Sequence, residues 1–336
     1  MRRALLVLVC LAALAIAPAA EGKASWAKHD IQAVVAAGLM APSVAEFRAE
    51  ATLTKGELTD ILVGLGKNPL APADPSLPVK LWELDASFVK ALGLGNAAKQ
   101  FRSALVAAGL RPPNRTGTEV VARLLGLRLN HPQERDGIEI RPDDPITRAE
   151  TAYSLARLLE LRGGEGVAAD RAQAAGFSVP ELSDWQRMVL TRAVKFVGYP
   201  YIWGGTSEQS QFLFGRQASG GFDCSGFVWR VYKTEPFAGA PGLAVVLRGR
   251  TTYEMSGEVK KKARIGFESI IPGDVIFFGS NGPESRPGQV GHMGINLGDG
   301  WFVHSSGRGT TIAELAGWYR DTFAWARRPL AEAGIE

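Results

Sequence analysis

One pattern recurs through the first half of the chain: a threonine, two variable residues and a glutamate, followed by apolar residues three and four apart. Thr54-Lys55-Gly56-Glu57 precedes Leu58, Ile61, Leu62 and Leu65. Thr116-Gly117-Thr118-Glu119 precedes Val120, Leu124 and Leu125, and Thr147-Arg148-Ala149-Glu150 precedes Leu155, Leu158 and Leu159. This spacing predicts helices opened by capping boxes, in which the Thr hydroxyl takes one orphan amide and the Glu carboxylate returns to another. The stretches 33–39 (AVVAAGL) and 104–110 (ALVAAGL) read as helix ends closed by glycine. Degenerate helix–loop–helix repeats are expected over 25–162, with a single irregular helical domain as the plainer alternative. The glycines at 163, 164 and 166 end the last helix, and 163–183 reads as a linker. From Asp184 the texture changes to aromatics, glycine and short alternating segments. Residues 185–197 have a helical pattern, and 272–278 and 290–303 read as strands. The expected fold is therefore two domains: a mainly α-helical repeat domain, then an α+β domain over 184–329 with an antiparallel sheet packed on helices.

Composition sharpens this picture in two places. With 336 residues and 46% hydrophobic positions there is apolar material for about two cored domains. The formal charge is +4, with no basic stripe interleaved with aromatics, so nucleic acid is not an expected partner. Residues 1–19 carry a basic start at Arg2 and Arg3, an apolar run and the small residues Ala17 and Ala19, the pattern of a cleaved secretory signal. An uncleaved anchor is the alternative, and no later apolar run approaches a membrane span. Of the two cysteines, Cys10 and Cys224, removal of the signal leaves one. A lone thiol in an exported chain makes no internal disulfide and builds no cysteine-cluster metal site, so it is reactive, paired between chains, or inert.

Cys224 stands in Gly220-Gly221-Phe222-Asp223-Cys224-Ser225-Gly226-Phe227-Val228. The glycines end a loop, Asp223 can cap a helix, and the apolar spacing starts one there. A thiol in a first helical turn meets unpaired amides and the positive dipole end, which favour the thiolate. The same amides can hold an oxyanion, and the glycines leave room for a substrate backbone. A thiolate nucleophile wants a base. His29 and His131 fall in the helical half, whereas His292 and His304 fall on one expected hairpin. A three-residue turn of Gly298, Asp299 and Gly300 pairs Gly294 with His304 and sets both imidazoles on one face, about 7–8 Å apart at the backbone. One ring then serves as base and the other orients it.

These residues carry two resemblances. Tyr201-Ile202-Trp203-Gly204-Gly205, the segment around Cys224, Pro272-Gly273-Asp274-Val275, Gly291-His292-Met293-Gly294 and Val303-His304-Ser305 follow in the order of the NlpC-type papain-like cell-wall cysteine peptidases. The resemblance implies Cys224 as nucleophile, His292 as general base and His304 as the orienting residue. It puts Tyr201, Asp223 and Ser225 near the substrate and oxyanion region. It implies hydrolysis of peptidoglycan stem peptides between D-isoglutamate and a diamino acid, without metal or organic cofactor, by a secreted or wall-associated bacterial protein. A catalytically silent wall-binding scaffold, or an acyltransferase or amidase on the same fold, are the alternatives. The 205–221 segment, with Gln209, Gln211, Phe212, Leu213 and Phe214, reads as an insertion on the cleft rim. The stretch 247–253 stands where the family has a Pro-Arg pair and a downstream Gln. The first half resembles S-layer homology repeats, which implies contact with a cell-wall polymer at Thr147, Arg148 and Glu150.

Overall fold

The computed structural model describes residues 25–128, 140–162 and 164–335. The expected signal at 1–19, Cys10 and His131 lie outside the described residues.

The first half is helical: α1 (Lys28–Ala36), α2 (Lys55–Gly64), α3 (Leu81–Ala91), α4 (Gly95–Ala107), α5 (Thr116–Leu124) and α6 (Arg148–Leu161). The two AAGL segments end helices as expected. Gly38 and Gly109 take positive φ (73° and 81°), and the amides of Leu39 and Leu110 reach back to Val34 O and Leu105 O. Capping boxes open α2 at Thr54 and Glu57 and α6 at Thr147 and Glu150. The third expected box is corrected. The helix over 116–119 starts at Thr116 itself, with Arg115 before it and no side-chain cap, and both Thr116 and Glu119 are buried. A helix entry of this kind stands instead at Lys80-Leu81-Trp82-Glu83, where Glu83 accepts from the Lys80 amide at 2.9 Å. The three helix entries close a ring of backbone bonds: Leu53 N to Ile146 O (2.9 Å), Ile146 N to Val79 O (3.0 Å) and Val79 N to Leu53 O (2.9 Å). Each segment donates to one neighbour and accepts from the other, so the three helix entries form a closed ring. Lysine replaces threonine in the middle copy, which hid it from a T-x-x-E reading.

The expected linker holds a helix, α7 (Glu165–Ala175), which packs on α4. The second half then runs α8 (Asp184–Lys195), β1 (Thr206–Ser207), β2 (Gln211–Leu213), β3 (Arg216–Ala218), β4 (Gly221–Phe222), α9 (Cys224–Trp229), α10 (Leu243–Val246), α11 (Thr252–Gly257), β5 (Val275–Gly279), β6 (Val290–Gly298), β7 (Trp301–Ser306), β8 (Gly309–Glu314), α12 (Trp318–Asp321), β9 (Phe323–Arg327) and α13 (Pro329–Glu332). The main sheet is antiparallel, in the order β8-β7-β6-β5-β9. One face, with Val275, Phe277, Met293, Ile295 and Val303, packs on α9 in the large core. The other carries Ile276, Phe278 and Phe302 in a smaller cluster. The 205–221 segment forms the β1–β4 pair and, beyond it, a β2–β3 hairpin whose Phe212 and Phe214 are exposed.

The two halves share one hydrophobic core. Phe101 meets Phe177 at 4.7 Å, and Phe177 meets Trp301 edge-on at 5.0 Å between ring centroids. The buried Arg123 of α5 crosses into the second half and donates to the carbonyls of Arg308 and Gly198. Gly309 makes room for it, since a Cβ there would lie 2.1 Å from Arg123 Nη1.

Candidate active site

The local sequence builds the turn that carries Cys224. Asp223 is the N-cap of α9 and accepts from the Gly226 amide. Its carboxylate also takes the Ser225 hydroxyl at 2.9 Å and the Gly204 amide at 3.0 Å. Gly226 is required by packing, because a Cβ there would stand 1.8 Å from the Gly205 carbonyl oxygen. Gly221 likewise faces Pro200 O, so these glycines serve close approach of the chain to itself, where substrate approach was expected. Cys224 is thus presented at the first turn of α9, and α9 packs on β6.

The hairpin delivers the imidazoles. Ile295 pairs with Val303 and Asn296 with Phe302; the register then slips by one before the Gly298-Asp299-Gly300 turn. Continued back along β6, this register sets Gly294 opposite His304, as expected from the three-residue turn. His292 and His304 share a face, with Nε2 of His292 2.8 Å from Nδ1 of His304. Phe278 stacks on His292 and Phe302 on His304, at 5.6 and 4.4 Å between centroids, and Tyr319 closes over both rings. The Cys224 thiol is held by three contacts. Thr252 Oγ1 lies 3.4 Å from Sγ, and the backbone amides of Ser225 and Met293 also bond the sulfur. Met293 adjoins His292, so the thiol sits against the strand that carries the ring.

Burial holds the thiol and both imidazoles in their neutral forms. Burial pushes the Cys224 thiol up to about 11, and the Asp223 carboxylate adds to the rise, against the bonds from Thr252, Ser225 and Met293. Loss of hydration brings His292 down to about 4 and His304 well below its ordinary value, the latter also through repulsion from His292 and Arg308. The expected lowering of the thiol by the helix end is therefore corrected. A six-residue helix carries a weak dipole, and desolvation beside a carboxylate outweighs it.

The remaining expected residues divide. Tyr201 bridges to Phe222, at the entry to the Cys224 turn. Ser225 is buried, its hydroxyl donating a hydrogen bond to Asp223 and accepting one from Arg250 Nη1 at 2.8 Å. Thr147, Arg148 and Glu150 lie far from this site. Arg148 is buried and donates to Phe47 O, Met40 O and Glu57, while Thr147 and Glu150 cap their own helix. Two residues outside the expected set join the site. Arg250 ties the Cys224 turn together, donating to Asp223 Oδ2 at 3.2 Å and Gly204 O at 3.0 Å, and Thr252 touches the sulfur. A capping box at Thr251 and Glu254 signals the helix that carries Thr252, but nothing local says that this helix abuts Cys224.

The family model for NlpC/P60 matches residues 198–328. The second half contains an NlpC/P60 cysteine-peptidase-like domain. Among curated proteins, the bifunctional muramidase/DL-endopeptidase CwlT of Bacillus subtilis is 31% identical over 140 residues, 41% of this chain and 35% of the relative. The probable endopeptidase YafL of Escherichia coli is 32% identical over 161 residues, 47% of this chain and 55% of the relative. The matched regions thus span about a third to just over half of these relatives' length. An NlpC/P60 family protein of Bacillus cereus of solved structure is 26% identical, with a TM-score of 0.33 over 46% of this chain and 43% of its own. The helical half lies outside the match to the NlpC/P60 domain.

Proposed function

We propose that the chain is a secreted, wall-associated peptidoglycan endopeptidase, cleaving stem-peptide amides between D-isoglutamate and a diamino acid. The observation that carries this reading is the imidazole pair at 2.8 Å on the β6–β7 hairpin, whose Met293 amide also bonds the Cys224 thiol. The NlpC/P60 match over 198–328 and relatives named as endopeptidases agree with it. The wall-binding role of the helical half rests on the likeness of its three entries to S-layer homology repeats, and the signal at 1–19 supplies export.

Cys224, His292 and His304 act in sequence. Sγ attacks the scissile carbonyl as its proton passes to Nδ1 of His292, so charge separates only along the reaction path. The Cys224 amide, at the open start of α9, donates to the oxyanion. Collapse breaks the C–N bond, and His292 returns the proton to the leaving amine. Water, deprotonated by the same ring, then releases the acyl group. His304 Nδ1 accepts from His292 Nε2–H and holds the tautomer that leaves Nδ1 free.

A Cys224→Ala chain is expected to melt like the native chain and to release no muropeptide fragments by mass spectrometry; retained lysis refutes the assignment. The elevated thiol favours one rival, a catalytically silent wall-binding protein. Turnover of purified stems by the native chain separates the two.

A further inference from the structure

The 205–221 segment carries an aromatic surface that the chemistry at Cys224 does not use. Its outer hairpin pairs Phe212 with Gln217 and Leu213 with Arg216, so Phe214 and Gly215 form a two-residue turn. Both take positive φ, 49° and 81°. Such turns favour Asn-Gly, and phenylalanine seldom adopts that backbone. Burial does not offset the strain, since Phe214 is 71% exposed and Phe212 72%. A strained backbone that presents an aromatic face to water points to a ligand for that face. The base of the hairpin is firmly held. Gln211 accepts from the Thr206 amide at 2.7 Å and donates to Gly221 O at 3.0 Å, and the buried Arg230 binds Glu208 through two bonds of 2.8 Å. Rings presented on a fixed arm lose little freedom when a ligand binds.

Position and chemistry choose the ligand. The Phe214 ring lies on Gly204, where a Cβ would come within 2.8 Å of it, and the Gly204 amide bonds Asp223, the neighbour of Cys224, at 3.0 Å. The hairpin face is therefore continuous with the turn that carries the thiol. A leaving amine that takes its proton from His292 sits beside that ring, and the acyl part of the substrate extends away from β6, toward Gly204 and the hairpin. Gln217, exposed opposite Phe212, sets an amide at the edge of the rings. An apolar face edged by an amide matches a pyranose, which has an apolar C–H face and a rim of hydroxyl and N-acetyl groups.

We propose that Phe212 and Phe214 stack on a sugar of the glycan strand, so that the chain selects stem peptides still joined to it. The proposal rests on the endopeptidase reading for the substrate and adds to it a part beyond the peptide. In that substrate L-Ala and D-isoglutamate separate the scissile carbonyl from the lactyl group of the sugar, a reach of about 7–10 Å, which carries the sugar past Asp223 and Gly204.

The test uses the full chain carrying Cys224→Ala, titrated calorimetrically with a disaccharide-linked stem tetrapeptide and with the same tetrapeptide free. The linked stem is expected to bind about tenfold tighter. Phe214→Asn and Phe212→Thr, made together in that background, bring the linked stem to the affinity of the free one. Asn suits the turn and Thr the strand, and an undiminished melting temperature checks that the hairpin is kept. Equal affinities, tighter binding of the free stem, no binding of either, or a preference that survives the substitutions overturns the proposal. Binding to anionic phospholipid vesicles that the same substitutions abolish, without a preference for the linked stem, assigns the face to a membrane and overturns it as well. Turnover by the native chain is read separately. Preference without turnover removes the endopeptidase reading and keeps the sugar platform; turnover without preference does the reverse.

Discussion

Replacing Glu119 with Gln is expected to stabilise the fold at alkaline pH. Glu119 is fully buried on α5, neither of its carboxylate oxygens has a hydrogen-bond partner, and a Cβ at Gly198 would lie 2.8 Å from its Oε2. Burial, with repulsion from Asp85, raises its carboxyl from 4.5 to about 8, against the pull of Arg123 and Arg128. Between pH 4.5 and about 8 the unfolded chain has released this proton and the folded chain still holds it, so stability falls as pH rises through that window. Each pH unit is worth about 1.4 kcal/mol, which brings the full loss to about 5 kcal/mol above pH 8. Gln keeps the shape and has nothing to ionise. The difference in unfolding free energy, Glu119→Gln minus native, should be near zero at pH 4 and grow toward several kcal/mol by pH 8.5. Denaturant unfolding at four or five pH values measures it. A constant difference across that range, or a variant less stable at pH 8.5 than the native chain, refutes the claim that this carboxyl is held neutral.

The raised Cys224 thiol predicts slow alkylation by iodoacetamide at pH 7, about 100-fold below an exposed cysteine, rising toward pH 11; a plateau reached below pH 8 contradicts it. The acid limb of kcat/KM should fall near pH 4, where His292 gains its proton, and a limb near 6.5 in a pH–rate series would show an ordinary, hydrated imidazole. Gly309→Ala puts a methyl onto Arg123 and Tyr199 O at a φ of +79° and should cost about 3 kcal/mol of stability, read as a lowered denaturation midpoint. Arg148→Ala breaks three internal contacts of a buried guanidinium and should cost about 3 kcal/mol. If this residue instead serves the polymer, wall binding in a sedimentation assay falls while the melting temperature holds.

Much of the site was legible because its parts are local. An N-cap aspartate before a cysteine, and a hairpin whose turn length sets which faces its histidines occupy, depend on a few adjacent residues. Period-two alternation then carries His292 and His304 to one face wherever the sheet goes. The repeat pattern was half legible. Two capping boxes were read correctly, but Thr116–Glu119 has the same spelling and a buried, uncapped role, because α5 packs against α3 and the second half rather than opening toward water.

By itself the sequence determined the helical first half, the α+β second half, the presentation of Cys224 at a helix start and the pairing of the two imidazoles. Only the tertiary structure decided what surrounds them. It brought Thr252 and Arg250 to the Cys224 turn across more than two dozen residues, joined the halves through Arg123, and folded α7 from an expected linker to wall the cleft at His304. It also reversed the charge state expected of the thiol. The reason is common to all of these: hydrogen-bond caps and strand alternation are set by neighbours in the chain, whereas desolvation and the closing of a cavity are set by whichever distant segments pack there.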